Sequence, residues 1–222
     1  MNPLTLSPQN LRQFLSGSFK EISQRGDNVI VLTSNFSSVF ERITSPNEFA
    51  GPLVEAWAHL QLSSLFAKYV SASAGGQAFA DSVAEYHGQA VWFNIKAKSR
   101  LKEKRSRINL SSLQRYNTHY SQVNPASFYV LVFEYNWQPL GNTLKIQIEK
   151  LKYTFNLLEI PLENYKIEGA FEGSYRIFIS PIPKSAETES TTYSIITAAQ
   201  FLQRIAELRD LHMARKTSRT RN

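Results

Sequence analysis

The segment Phe79–Lys98 constrains the fold most, because it predicts two short strands joined by a two-residue turn. The turn is His87-Gly88, and glycine is typical of the positive-φ positions in such turns. If the residues that flank the turn pair with each other, Asp81 lies directly opposite Asn94, and opposed residues share one face of a sheet. Lys96 lies two residues beyond Asn94 and shares that face. The sequence therefore predicts a polar trio on an otherwise apolar hairpin.

The rest of the chain mixes helical and strand patterns. Helical spacing of apolar residues predicts helices over 8–24, 47–70, 110–122 and 197–215. Apolar or alternating runs predict strands over 128–137, 144–160 and 175–179, and 29–33 is either a short strand or a buried turn. We therefore expect an α/β (α+β) fold with a central mixed β-sheet flanked by helices.

Charge is unevenly distributed along the chain, which has a formal net charge of +7. Seven basic residues lie within 96–107 against a single acidic one, and such clusters are typical of proteins that bind a phosphate backbone. The chain has no cysteine, which excludes disulfide frameworks and cysteine-ligated zinc sites. No apolar run approaches the length of a membrane span and no secretory signal is evident, so we expect no membrane partner.

The order of these motifs resembles the PD-(D/E)xK nuclease superfamily, and is most similar to type II restriction endonucleases of the EcoRV and HincII branch. A helix with an acidic residue, an aspartate, a strand with a lysine, another helix and a buried strand follow one another over roughly residues 49–212. The segment FNIKAKS lies where these enzymes carry an aspartate-x-lysine strand. The resemblance implies one nuclease domain over 1–222, with an N-terminal helical elaboration (1–46), a catalytic core (47–135) and a β-rich recognition part with the C-terminal helix (136–222).

The same resemblance assigns roles to four residues. Asp81 would be the principal ligand of Mg²⁺, and Asn94 would hold the second ligand position. Lys96 would orient the attacking water or stabilise charge on the phosphorane. Glu55 would be the helix-borne acid that faces the site. The implied protein is a homodimeric, Mg²⁺-dependent, site-specific endonuclease of double-stranded DNA, located in the cytoplasm of a bacterial or archaeal cell.

Asn94 departs from the family pattern, which has Asp or Glu at this position. Three explanations stay open: the site binds metal more weakly, Glu55 supplies the missing carboxylate, or an inactivating substitution has been introduced to hold DNA uncut. Two other functions therefore stand beside restriction. They are a repair nickase or junction resolvase on the same core, and a DNA-binding protein with a decayed nuclease site.

Contacts to DNA are expected from two regions. The basic run would bind phosphates, and two adjacent polar side chains could meet bases or phosphates; these residues are Lys98, Arg100, Lys102, Lys104, Arg105, Arg107, Asn109 and Gln114. A later loop with two glycines could read base edges through Ser174, Tyr175 and Arg176. The four histidines, including His59, show no metal-ligand spacing and are not expected to be catalytic.

Overall fold

The computed structural model describes residues 8–35, 40, 47–71, 80–100, 107–112, 127–169, 175–190 and 195–219. Within these segments the helices and strands follow in the order α1 (Pro8–Arg25), β1 (Val29–Thr33), α2 (Asn47–Leu65), β2 (Tyr69–Ser71), β3 (Ser82–Tyr86), β4 (Gln89–Ser99), β5 (Ile108–Ser112), β6 (Phe128–Leu140), β7 (Thr143–Asn156), β8 (Tyr165–Gly169), β9 (Tyr175–Ile179) and α3 (Ala198–Arg219). No described helix is both long and apolar enough to cross a membrane.

The central sheet has six strands in the order β1-β7-β6-β4-β3-β2. All neighbouring strands are antiparallel except β4 and β6, which run parallel from Trp92↔Phe128 to Ser99↔Tyr135. A second, antiparallel sheet has the order β5-β9-β8. The expected α+β fold with a mixed sheet and flanking helices is therefore confirmed.

The hairpin of β3 and β4 has the expected register. His87 and Gly88 adopt φ angles of 50° and 77°, and the flanking Tyr86 pairs with Gln89. The ladder runs back to Ser82↔Phe93, so the next residues outward are Asp81 and Asn94. Local turn chemistry and strand alternation thus set which side chains meet at this end of the hairpin.

Each face of the central sheet packs against its own layer. Helices α1 and α2 cover one face, where Phe19, Trp57 and Phe133 meet edge to face or tilted at centroid distances of 4.8–5.9 Å. The small sheet and α3 pack on the other face around residues such as Val130 and Ile177. Strands β4 and β6 lie between the two layers, and burial on both faces accounts for the nearly continuous apolar run of β6.

Several sequence-based element assignments need correction. The helix expected over 110–122 is wrong where the structure describes it, because residues 110–112 belong to β5, which pairs with β9. The helix expected over 47–70 ends at Leu65, and the chain then forms β2. Within this helix Leu60 is 69% exposed although it has the helical spacing of the apolar residues. Pairing with distant strands decides these segments, and such pairing overrides local helical spacing.

Candidate active site

The candidate site lies at an open edge of β4. Phe93 accepts a backbone hydrogen bond from Asp81 on the side of β3, and Ile95, two residues further on, directs its backbone groups to the same side. Strand β3 begins only at Ser82, so it supplies no partner there. Instead, the Asp81 carboxylate accepts from the Ile95 N–H at 2.5 Å, and the Lys96 ammonium donates to the Ile95 carbonyl at 3.0 Å.

Asp81 and Lys96 also form an ion pair with each other. The Lys96 Nζ lies 3.7 Å from the Asp81 Oδ2, and the two side chains are 30% and 34% exposed. Both groups are therefore anchored on the backbone of β4 and still open to solvent. The sequence predicts that these two side chains lie close together on one face of the sheet, and in the structure they are adjacent.

Helix α2 brings Glu55 to the same place. Burial raises the pKa of Glu55; the Lys96 ammonium lowers it and the Asp81 carboxylate raises it further. The backbone N–H of Ala97 stabilises the ionised Glu55 carboxylate and so lowers its pKa. Burial raises the pKa of Tyr135 to about 12, and the Glu55 carboxylate adds to that rise. Glu55 is thus electrostatically coupled to both edge residues.

Asn94 lies in a different environment from the other residues of the predicted trio. It is only 6% exposed, and its Oδ1 has no hydrogen-bond partner among the described residues. A buried carbonyl oxygen without a partner is uncommon in folded proteins and calls for an explanation. An oxygen ligand for a cation is one role that would account for it.

Sequence reasoning missed two further groups beside Asp81. His59 follows Glu55 by one helical turn, and its Nδ1 lies 2.5 Å from the Tyr69 hydroxyl. Burial lowers the pKa of His59, and the Asp81 carboxylate opposes that shift. Burial also raises the pKa of Tyr69, with Asp81 adding to the rise. The i, i+4 spacing of Glu55 and His59 on a predicted helix was a signal for this proximity.

The basic run does not form a uniform patch where it is described. Arg107 makes two hydrogen bonds to Glu168, at 3.0 and 3.3 Å, and its guanidinium lies 5.2 Å from the centroid of the Phe178 ring. Arg100 pairs with Glu149 at 3.0 Å. Both arginines are therefore engaged within the protein. Lys102, Lys104 and Arg105 lie outside the described residues.

An open cavity of about 310 Å³ lies beside the edge site. Lys96, Lys98 and Arg107 contribute to its lining, together with Asn109, which is exposed. The Lys98 ammonium also lies 5.8 Å from the centroid of the Tyr153 ring. The cavity thus has three cationic side chains around it.

The predicted base-reading loop is described only in part. Arg176 is exposed on β9, opposite Glu168 of β8. The backbone of Tyr175 belongs to β9, but its side chain, like Ser174 and Gln114, lies outside the described residues.

The donor set suits a hard cation with few protein ligands. The described residues contain no group of three or more His, Asp or Glu side chains placed to hold a metal ion. Mg²⁺ is commonly bound by one or two carboxylates together with phosphate oxygens and water. Asp81, Glu55 and Asn94 carry oxygen donors of the kind that such an ion takes.

The described architecture is that of a restriction-endonuclease-like fold. No family model and no curated protein matches the sequence. Among solved structures, the NlaIV restriction endonuclease is similar, with a TM-score of 0.53 and 11% sequence identity over 86% of this chain and 77% of that chain. This likeness shows a similar fold, and it does not assign the chain to the EcoRV and HincII branch.

Proposed function

We propose that this protein is a Mg²⁺-dependent endonuclease that hydrolyses phosphodiester bonds of double-stranded DNA at specific sites. One observation carries the proposal: Asp81 and Lys96 lie 3.7 Å apart on an open strand edge, and Glu55 is coupled to both. A carboxylate and an ammonium around one accessible point can serve a cation and a phosphate together. The restriction-endonuclease-like fold supports this assignment.

Asp81 and Glu55 would hold the metal, and the Asn94 oxygen would complete the protein ligands. A bound Mg²⁺ neutralises charge on a phosphate and lowers the pKa of a coordinated water. Asn94 adds an oxygen ligand without charge, so Glu55 supplies the second carboxylate. The three oxygen donors come from α2, β4 and the residue before β3, so metal binding would depend on the folded core.

Lys96 would act on the reacting phosphate. Its ammonium donates to the Ile95 carbonyl and pairs with the Asp81 carboxylate, and these two contacts fix its position. A positioned cation stabilises the negative charge that develops on the phosphorane. Lys98, in the adjoining cavity, would bind the neighbouring phosphate. A homodimer would cut both strands, because two-fold protein symmetry matches a palindromic site.

Digestion of supercoiled plasmid in Mg²⁺ tests the proposal. Asp81→Asn and Lys96→Met should each slow cleavage by about 100-fold or more. The chain offers a matched control in the exposed pair of Lys68, which directly precedes β2, and Glu85 of β3, whose charged groups lie 2.6 Å apart. Lys68→Met and Glu85→Gln should cut at the wild-type rate. Cleavage by the Asp81 and Lys96 variants at the rate of these controls would refute the proposed site.

The neutral Asn94 favours a second candidate, a DNA-binding protein whose nuclease site has decayed or been inactivated. In that case the protein binds DNA in a salt-sensitive manner without cutting it, and Asn94→Asp gains cleavage. The form of the cleaved plasmid distinguishes a restriction enzyme from a repair nickase or junction resolvase. Discrete linear fragments indicate a restriction enzyme, whereas nicked circles indicate a repair nickase or junction resolvase.

A further inference from the structure

Beyond the candidate site, one end of the central sheet extends past the layer that covers this face elsewhere. Strand β6 leaves β4 after Tyr135 and continues in a three-stranded ribbon with β7 and β1. Its outward positions form three rows across the strands, in the order β1, β7, β6: Val29–Gln147–Asn136, Val31–Lys145–Gln138 and Thr33–Thr143–Leu140. We call these nine positions the ribbon face.

The two sides of this ribbon have opposite character. Leu144, Ile146 and Ile148 alternate with the outward residues of β7 and are buried in the core beneath α1 and α2. On the ribbon face, Gln138 is exposed, and Val31 and Leu140 are 59% and 52% exposed. The alternation sets the register, and it leaves the outward side chains open to a partner.

The polar side chains of the ribbon face are suited to base edges. Gln138, Lys145 and Gln147 have no hydrogen bond or ion pair with other described side chains. None of the nine positions carries a carboxylate, and the face presents three amides, one ammonium, two hydroxyls and three apolar side chains. Gln pairs bidentately with adenine, Lys donates to guanine, and apolar side chains contact the thymine methyl group.

The ribbon face is continuous with the candidate site. In the parallel pairing, Lys96 lies beside Val132 and Lys98 beside Glu134, so these lysines share a sheet face with the alternate residues of β6 that follow. Asn136 is four residues beyond Val132 on that strand, about 13 Å away at the usual rise of a strand. At about 3.4 Å for each base pair, this separation corresponds to about four base pairs of DNA.

From this placement we infer that the ribbon face lies in the major groove of the DNA substrate, where Gln138, Lys145 and Gln147 read base edges. The inference rests on the proposed function, since it takes double-stranded DNA as the ligand. The major groove admits a β-ribbon and presents a distinct pattern for each base pair. The ribbon is supported on one side by the core, so its outward side chains are held at fixed spacing.

Selection of bound sequences from a randomised DNA library, without divalent metal, tests the inference separately from cleavage. Wild-type protein should enrich one sequence. Gln147→Ala and Lys145→Ala should each lose about 5- to 150-fold of discrimination at one or two base pairs. The dependence of affinity on salt should change little for Gln147→Ala, because only phosphate contacts release counterions.

Gln89→Ala is the matched control, since Gln89 is an exposed strand residue at the far end of the β3–β4 hairpin. It should enrich the wild-type sequence. Lys145→Gln is a second variant that keeps a polar chain, and it should alter the preferred base at its position. Circular dichroism and urea unfolding establish that each variant is folded.

Three results would overturn the inference. One is enrichment of the wild-type sequence by folded Gln147→Ala, Lys145→Ala and Lys145→Gln variants alike. Another is a wild-type protein that enriches no sequence. The third is a dimer in sedimentation that Val31→Lys converts to a monomer, which would make the ribbon face a subunit interface. Plasmid digestion tests the proposed nuclease function independently of this selection. A protein can recognise a DNA sequence without cutting it, and it can cut DNA without reading bases through the ribbon face.

Discussion

Replacement of Arg12 should destabilise the protein strongly at neutral pH, because Arg12 is buried and binds three distant groups. Its guanidinium donates to the Glu159 carboxylate at 3.0 Å and to the Ser185 and Glu187 carbonyls at 2.9 and 3.2 Å. The Arg12 and Glu159 side chains are 2% and 3% exposed. The Glu159 carboxylate also accepts from the Asn156 N–H at 2.6 Å, which closes a capping box.

The expected loss of free energy of unfolding follows from the Glu159 carboxylate that remains buried. Arg12→Met leaves Glu159 in the core without a counter-charge, and breaking one side of a buried ion pair costs about 3–5 kcal/mol. Replacing both residues, as Arg12→Met with Glu159→Gln, removes the uncompensated charge and retains an acceptor for Asn156. The double variant should therefore lose less free energy of unfolding than the sum of the two single variants.

The pH dependence of the Arg12→Met variant gives the sharper test. Burial raises the pKa of Glu159 above its ordinary value of 4.5, and Arg12 opposes that rise. Without Arg12 the folded-state pKa rises further. A group whose pKa is higher in the folded state stabilises the fold fully below its unfolded pKa and loses that contribution as pH rises through the folded pKa. Acidification towards pH 4.5 should therefore reduce the difference in free energy of unfolding between Arg12→Met and wild type.

Urea unfolding followed by circular dichroism, at neutral pH and near pH 4.5, measures both effects. The matched control is Arg25→Met, since Arg25 pairs with Asp27 at 3.2 Å but is 65% exposed. It should cost less than about 1 kcal/mol at either pH. The reasoning would be refuted if Arg12→Met lost as little free energy of unfolding as Arg25→Met. It would also be refuted if the loss for Arg12→Met were the same at both pH values.

Three further outcomes are expected. Plasmid cleavage by wild type should fall as pH is lowered through the raised pKa of Glu55, because its carboxylate must ionise to hold metal. Glu55→Gln should lack this pH dependence. The same pH profile of cleavage in both proteins would contradict a metal-binding role for Glu55. Gly88→Ala should cost about 1–2 kcal/mol in urea unfolding, since Gly88 has a φ of 77° with open space around it, and Gly17→Ala is the control without positive φ. Lys98→Ala should reduce the slope of log affinity against log salt by about 1, whereas Lys166→Ala should leave it unchanged.

Local patterns predicted much of the fold and part of the candidate site. The turn at His87-Gly88 and the alternation around it predicted the hairpin register, because turn chemistry and a two-residue period act over a few residues. That register then placed Asp81 and Lys96 together. The long apolar run of β6 predicted a strand buried on both faces, which its position between two layers bears out.

Other features arise only where distant segments meet. The pairing of residues 110–112 with β9 replaced a helix that local spacing favoured. The Arg12–Glu159 pair joins residues 147 positions apart, and no pattern within either segment indicates it. Likewise, Arg107 pairs with Glu168, which lies 61 positions away in the chain. Charged side chains look alike in a sequence, and their partners depend on which surfaces the folded chain brings together.

The amino-acid order thus sufficed for the hairpin, its turn and the polar pair at its open end, since backbone geometry links those residues directly. The approach of Glu55 and His59 to that pair, the burial of Asn94 and the uncovered ribbon face needed the assembled layers. Periodicity indicates which side of a strand or helix is apolar. Packing of the whole chain decides which of those sides are covered and which polar groups then share one electrostatic environment.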